Sequence, residues 1–352
     1  SYLIPNPEIS RLPPGEPADL FRASLVCKLW LRIASDPAFL RHYRAFHRGA
    51  PLLGFFYSVG CPSYSPLFIP TTTAAPPLRR PVYDDHHWLV LDCRHGRILL
   101  RNLDLDFSVW DPITGSREEL SPLKFWYTFC SAAVLCAMAG CDHRDCHGVW
   151  KSGSGVGNDD AAKAIRSSVY SLEARAWGTP DSANFEGRCP FIFDINRAAL
   201  IGDEIYYVVD LGARILKYDL VKRSLSMIDL PDSMYCEKVL MQNEDGSLGL
   251  ACLCGSRLHL WSRMVNPEGV TGWVQRRVFE LKILPKANAF GFAEGAGGFC
   301  MSTKAGAFTI ELKSGHVRKA GESRYYCAFF PFISFFTPGT APALLVYNPV
   351  LY

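Results

Sequence analysis

The chain has 352 residues and a mass of 39.3 kDa, long for one ordinary domain and enough for about two. With 49% hydrophobic and 20% charged residues it can bury a large core, which excludes a disordered chain. The formal charge, 37 − 34 = +3, is too small to suggest a nucleic-acid or membrane-surface partner, and it falls wholly within residues 1–50, which hold seven Lys/Arg and four Asp/Glu.

The first segment has a helical pattern. Pro17 and Asp19 precede LFRASLVCKLWLRIA, fifteen residues (20–34) without Gly or Pro, which read as one helix. On it, Leu20, Ser24, Cys27 and Leu31 form one stripe and Val26, Trp30 and Ile33 the adjoining one, with Arg22, Lys28 and Arg32 on a polar edge. A second helix starts at Asp36-Pro37, a cap followed by proline at the first helical position. Phe39, Tyr43 and Phe46 repeat along it, and Gly49 and Pro51 end it.

Beyond Pro51 the helical period fades. Short apolar runs recur between Gly, Pro, Asp and Asn: LLGFFYS (52–58), WLVLDC (88–93), RILLRN (97–102), SAAVLCAM (131–138), IYYVVD (205–210), RILKYDL (214–220), LGLACLC (248–254), RLHLWSR (257–263) and AFTIELK (307–313). Residues 89–123, 200–231, 248–285 and 289–320 share a grammar of strand, turn, strand, then a strand carrying an aromatic before a polar turn; 131–177 is a degenerate copy. The period of roughly 40–50 residues is that of four-stranded propeller blades, and fits better than a β-sandwich with extra strands. YYCAFFPFISFF (325–336) is suited to the inner strands of a last blade, which LLGFFYS would close. Five copies and one shared blade predict six blades, with five or seven as alternatives. The chain thus divides into a helical module at 1–49 and an all-β propeller at 50–352.

The stretch ISRLPPGEPADLFRASLVCKLWLRIASDPAFLRHYRAFH (9–47) resembles an F-box, above all in Ser24, Leu25, Val26, Cys27, Lys28 and Trp30 followed by Ser35–Arg41. HRGAPLLGFF (47–56), VWDPITG (109–115) and CDHRDCHG (141–148) are similar to the large F-box family of grasses, whose C-terminal part is a β-propeller-like associated domain. The resemblance implies a non-catalytic substrate receptor of an SCF-type cullin–RING ubiquitin ligase, with no cofactor. Its F-box would dock on a Skp-family adaptor, and through it on cullin and RING subunits, while the propeller would hold a protein target. Carried over from that family, the adaptor-binding residues are Leu3, Ile4, Pro5, Ile9, Leu12, Pro13, Leu20, Leu25, Val26, Cys27 and Trp30, with internal packing as the alternative role of Leu20, Cys27 and Trp30. The chain departs from the family at its start. Only YLIPNPEI precedes SRLPP, and Pro5 and Pro7 oppose a continuing helix, so the first helix should be short or absent. A second reading is therefore a propeller interaction protein with a decayed F-box and no ligase role.

Other constellations are weaker. Cys141, His143, Cys146 and His147 crowd one loop, but C-x-H-x2-C-H has no distant second pair and is not a standard zinc spacing, so no metal is expected, and a metal-dependent propeller enzyme using this cluster or His86-His87 is the third and weakest reading. Asp84, Asp85, His86 and His87 read as a turn before the strand at Trp88. Gly153–Gly157 lacks the Lys-Ser/Thr of a phosphate loop and reads as flexible loop. No G-x-S-x-G elbow supports a Ser/His/Asp triad, and Arg79-Arg80 and Arg276-Arg277 are too short for a nucleic-acid footprint. VWDPITG and KYDLVKRS (217–224) read as equivalent blade turns. The opening SYLIPNPEIS lacks the pattern of a secretory leader, and thirteen cysteines, set mostly in apolar runs, read as free thiols in cytosol or nucleus. Apolar stretches such as Cys327–Thr337 are too short and Pro-broken to span a bilayer. Target-binding loops are expected among the long irregular stretches 60–87, 139–166 and 178–199.

Overall fold

The computed structural model describes residues 7–59, 66–71, 76, 78–79, 87–123, 130–136, 150–159, 164–171, 174–185, 197–209, 213–231, 237–243, 245–281, 289–293, 298–311, 314–322 and 326–336. Four helices come first: α1 (Pro7–Ser10), α2 (Pro17–Ser24), α3 (Lys28–Ala34) and α4 (Pro37–His47). Helix α1 is described over Pro7–Ser10, and residues 1–6, on which the expectation of a short first helix also rests, lie outside the described residues. Helix α4 starts as the sequence indicates, with Asp36 Oδ1 accepting from the Ala38 N–H at 2.7 Å and Pro37 at the first helical position. It ends at Arg48, whose φ of 61° is left-handed.

The single helix expected over 20–34 does not form. Helix α2 stops at Ser24, and the Leu25 N–H returns to the carbonyls of Phe21 and Arg22. Cys27 is extended and caps α3, its Sγ accepting from the Trp30 N–H at 3.5 Å. The reason is packing. Leu20 and Ile33 would lie about 20 Å apart along one straight helix. The break lets both enter one core with Ile9, Ala34, Phe39 and Tyr43.

Among the described residues, twenty-four strands follow, in six sheets. Blade 1 begins with β1 (Leu52–Val59) and β2 (Pro66–Pro70). Blade 2 holds β3 (Trp88–Arg94), β4 (Arg97–Asn102), β5 (Phe107–Trp110) and β6 (Arg117–Leu120). Blade 3 holds β7 (Cys130–Cys136), β8 (Trp150–Asp159), β9 (Ala164–Ser171), β10 (Ala176–Trp177) and β11 (Asp181–Asn184). Blade 4 holds β12 (Ala199–Ile201), β13 (Glu204–Val209), β14 (Arg214–Asp219) and β15 (Ser224–Asp229). Blade 5 holds β16 (Glu237–Gln242), β17 (Leu248–Cys254), β18 (Arg257–Val265) and β19 (Thr271–Glu280). Blade 6 holds β20 (Ala289–Ala293), β21 (Gly298–Thr303), β22 (Gly306–Glu311) and β23 (Val317–Gly321). The last strand, β24 (Tyr326–Ile333), pairs antiparallel with β1, so blade 1 is built from both ends of the propeller, as its sequence led us to expect.

Alternation along each strand sends apolar side chains to both faces, and each face meets the next blade. Six apolar clusters result. Phe56 and Phe330 meet Trp88 and Trp110 between blades 1 and 2. Phe107 and Val109 meet Ala132 and Val134 between blades 2 and 3. Leu135 meets Tyr207 between 3 and 4, and Val208 meets Leu250 between 4 and 5. Met241 meets Phe299 between 5 and 6, and Cys300 meets Phe55 between 6 and 1. That sixth contact closes the ring of a six-bladed propeller.

Gly153–Gly157 corrects the loop reading. These residues lie in β8, hydrogen-bonded to β7 on one side and β9 on the other. Backbone pairing on both edges holds a strand whose residues have little side chain of their own, despite the low strand propensity of glycine. The irregular stretches expected at 60–87, 139–166 and 178–199 likewise contain β2, β8, the start of β9 and β11. The Asp turns match expectation. Asp111 accepts from the N–H groups of Ile113 and Thr114, and Asp219 from those of Val221 and Lys222. Four residues on, Gly115 (φ 80°) and Arg223 (φ 53°) both adopt the left-handed form. Hydrogen bonds from the Lys222 backbone N–H and ammonium hold the Asp219 carboxyl below the usual range.

Candidate functional site

The helical module separates its apolar residues into two sets. Ile9 and Leu20 are each 1% exposed and belong to its core, so their side chains serve packing and not direct contact with a partner. Leu12 and Trp30 are half-buried against the same core. Leu25, Val26 and Leu29 are 69, 68 and 51% exposed, and Cys27 and Pro13 are also exposed. Leu3, Ile4 and Pro5 lie outside the described residues.

The break between α2 and α3 makes this arrangement. Leu25 and Val26 occupy the corner between two helices that are already packed, so neither side chain has an internal cavity to enter. Leu29, the second residue of α3, joins them. Sequence reasoning missed it because a continuous 20–34 helix gave it no distinct place. The signal was the five apolar residues and one thiol within residues 25–31, more than a two-sided helix needs. Water against three large aliphatic side chains is unfavourable by about 25 cal/mol per Å² of apolar surface, so a partner that covers them gains that amount.

Behind the exposed corner the module is tightly tied. The Tyr43 hydroxyl donates to the Leu12 carbonyl at 2.8 Å, and a His47 ring nitrogen lies 2.9 Å from the Ser10 carbonyl. Burial pushes the Tyr43 hydroxyl pKa well up, so it stays a donor. These two bonds hold α1 and the Arg11–Glu16 connection against α4.

Among the described residues, the most deeply buried ionic cluster of the propeller centres on Asp92. Asp92 is 0% exposed. Its Oδ1 accepts from the Cys93 N–H (2.8 Å) and Arg197 Nε (3.0 Å), and its Oδ2 from Arg94 Nε (2.9 Å) and the Val134 N–H (2.8 Å). Arg94 also donates to the Ala198 carbonyl. Four donors fill the carboxylate, which leaves it no lone pair for a substrate proton or a ligand. The cluster knots blades 2 and 3 to the segment entering blade 4. A bulge between Val90 and Asp92 aims the carboxylate there.

Cys93 and Cys300 are buried, and burial drives both pKa values up, away from the thiolate. Among the described residues, no three His, Cys, Asp or Glu side chains come together. Cys141, His143, Cys146, His147, Asp84, Asp85 and His86 lie outside them.

A ring of six four-stranded or similar blades, preceded by a small helical module with an exposed apolar corner, defines a six-bladed β-propeller protein. Residues 89–284, more than half of the chain, match the family model described as "F-box protein AT5G49610-like, beta-propeller", and the chain belongs to that family. No curated protein gives a significant match. Among solved structures, the chain is similar to the WD40 domain of SCAP from fission yeast, at 13% identity and a TM-score of 0.39 over 70% of this chain and 59% of that one. It is also similar to a chain of a nidogen/laminin complex, at 9% identity and a TM-score of 0.45 over 80% of this chain and 99% of that one. Likenesses this distant do not bear on function.

Proposed function

We propose that this chain is the non-catalytic substrate receptor of an SCF-type cullin–RING ubiquitin ligase in a plant of the grass type, acting in cytosol or nucleus. The helical module docks on a Skp-family adaptor, and the propeller holds a protein target, with no nucleic acid or membrane partner. The observation that carries this reading is the exposed apolar corner of Leu25, Val26 and Leu29, the three most exposed large apolar side chains among the module's described residues. Membership of an F-box propeller family supports it. Among the described residues no helix is long and apolar enough to cross a membrane.

The second reading is a propeller interaction protein without ligase partners. Co-expression with a Skp-family adaptor and a cullin separates the two. The first reading expects all three proteins to elute as one complex; a folded chain eluting alone supports the second.

A further inference from the structure

The segment after β24 leaves the blade and enters the helical module. β24 ends at Ile333. The Ser334 N–H then donates to the Pro51 carbonyl at 3.2 Å, at the junction between the module and β1. Phe335, 4% exposed, belongs to the core of the module with Ile9, Leu20, Phe39 and Tyr43. Its ring lies edge-on to Tyr43 at 6.0 Å and under the Arg44 guanidinium at 5.8 Å. Phe336 turns the other way, into the core between blades 1 and 2, where it meets Phe21 of α2 at 5.3 Å. The propeller therefore supplies a ring to the helical core, and the module supplies one to the propeller.

We propose that the helical module is not an independent domain: Phe335 completes its core, so α2–α4 become ordered only when the closing strand β24 is seated in blade 1. Helices of four, eight, seven and eleven residues are too short to be stable alone and depend on tertiary packing. A segment of about 40 residues also buries too little apolar surface to fold unaided. The missing surface arrives from nearly 300 residues further along the chain, through the one strand that joins the ends of the ring. Long-range closures of this kind form late, since loop entropy must be overcome before the contact forms. The consequence is a check on assembly. A propeller that has not closed presents no ordered corner at Leu25, Val26 and Leu29. Only the significance of that corner rests on the proposed adaptor role; the dependence on closure does not.

Hydrogen exchange on the full-length chain tests the dependence without any partner. In Phe335→Ala, amides of α2–α4 are expected to exchange roughly 100-fold faster or more, the scale of deleting a buried ring, while amides of β13, β14 and β17 keep their native rates. Phe335→Leu, which keeps apolar bulk, should fold in any case and speed α2–α4 selectively by a smaller factor of about 10. Native protection of α2–α4 in either folded variant would overturn the proposal. So would uniform acceleration of α2–α4 and the blade 4 and 5 strands together, since that reports general loosening and not a missing piece of the module core.

Discussion

Between the blades, apolar residues from neighbouring strands are buried in pairs of faces, and the exposed ones sit in or beside turns, as Leu103, Val221 and Val270 do, or on the outermost strand of blade 5, as Val274 and Val278 do. On the helical module the pattern is opposite: three of its large aliphatic residues, Leu25, Val26 and Leu29, are more than half exposed while Ile9 and Leu20 beside them are sealed. A ring of blades can satisfy every sheet face with the next sheet, and closure leaves no face over. A module of short helices has no such neighbour except where Phe335 and Phe21 cross the junction. Its most exposed aliphatic side chains are gathered at one corner, with Leu31 of α3 and Phe46 of α4 exposed to a lesser degree, and the corner is where a partner gains most.

Substitutions can break this contrast, from the ring outward. Asp92→Ala should be the most damaging, because it leaves Arg94 and Arg197 facing a buried gap; a loss near 5 kcal/mol is expected in denaturant melts, at the top of the range for stranding a buried charge. Phe330→Ala, at the 0%-exposed core of the closing blade, should cost about 3–4 kcal/mol by the same measurement. Asp36→Ala removes the α4 cap and should cost about 1 kcal/mol, seen in a native-state exchange profile as loss of protection at the start of α4. Leu25→Ala and Val26→Ala should leave the melts within about 0.5 kcal/mol of the parent, since neither side chain has an internal contact to lose. A large stability loss at Leu25 would show that the corner is structural.

Much of this was legible in the sequence. Blade periodicity, the six-blade total and the joining of LLGFFYS with the 325–336 run all follow from strand spacing, because each blade repeats one grammar. Three features were not legible. The break at Leu25–Cys27 carries no Gly or Pro, and its cap is a thiol instead of a hydroxyl or carboxylate. β8 is disguised by glycines whose pairing is entirely backbone. β16 (EKVLMQ), opening with two charged residues, lacks the long apolar run that marked its neighbours, so blade 5 seemed to begin at β17. In the candidate site, Leu25, Val26 and Cys27 were read as contact residues and are exposed, whereas Ile9 and Leu20 were read so and are core. Periodicity places residues on a stripe, but only the packing of the other helices decides which stripe is covered. The role of Phe335 was hidden because SFF at 334–336 reads as the end of a blade strand.

The exposed corner can be tested most directly by titrating a Skp-family adaptor against the full-length chain and its Leu25→Ala and Val26→Ala variants, with melts run in parallel. The expected result is saturable binding by the parent, and at least about tenfold weaker binding by each variant at unchanged stability. Absence of binding by the folded parent, or equal affinity for all three proteins, would contradict the assignment of this module as an adaptor-docking F-box.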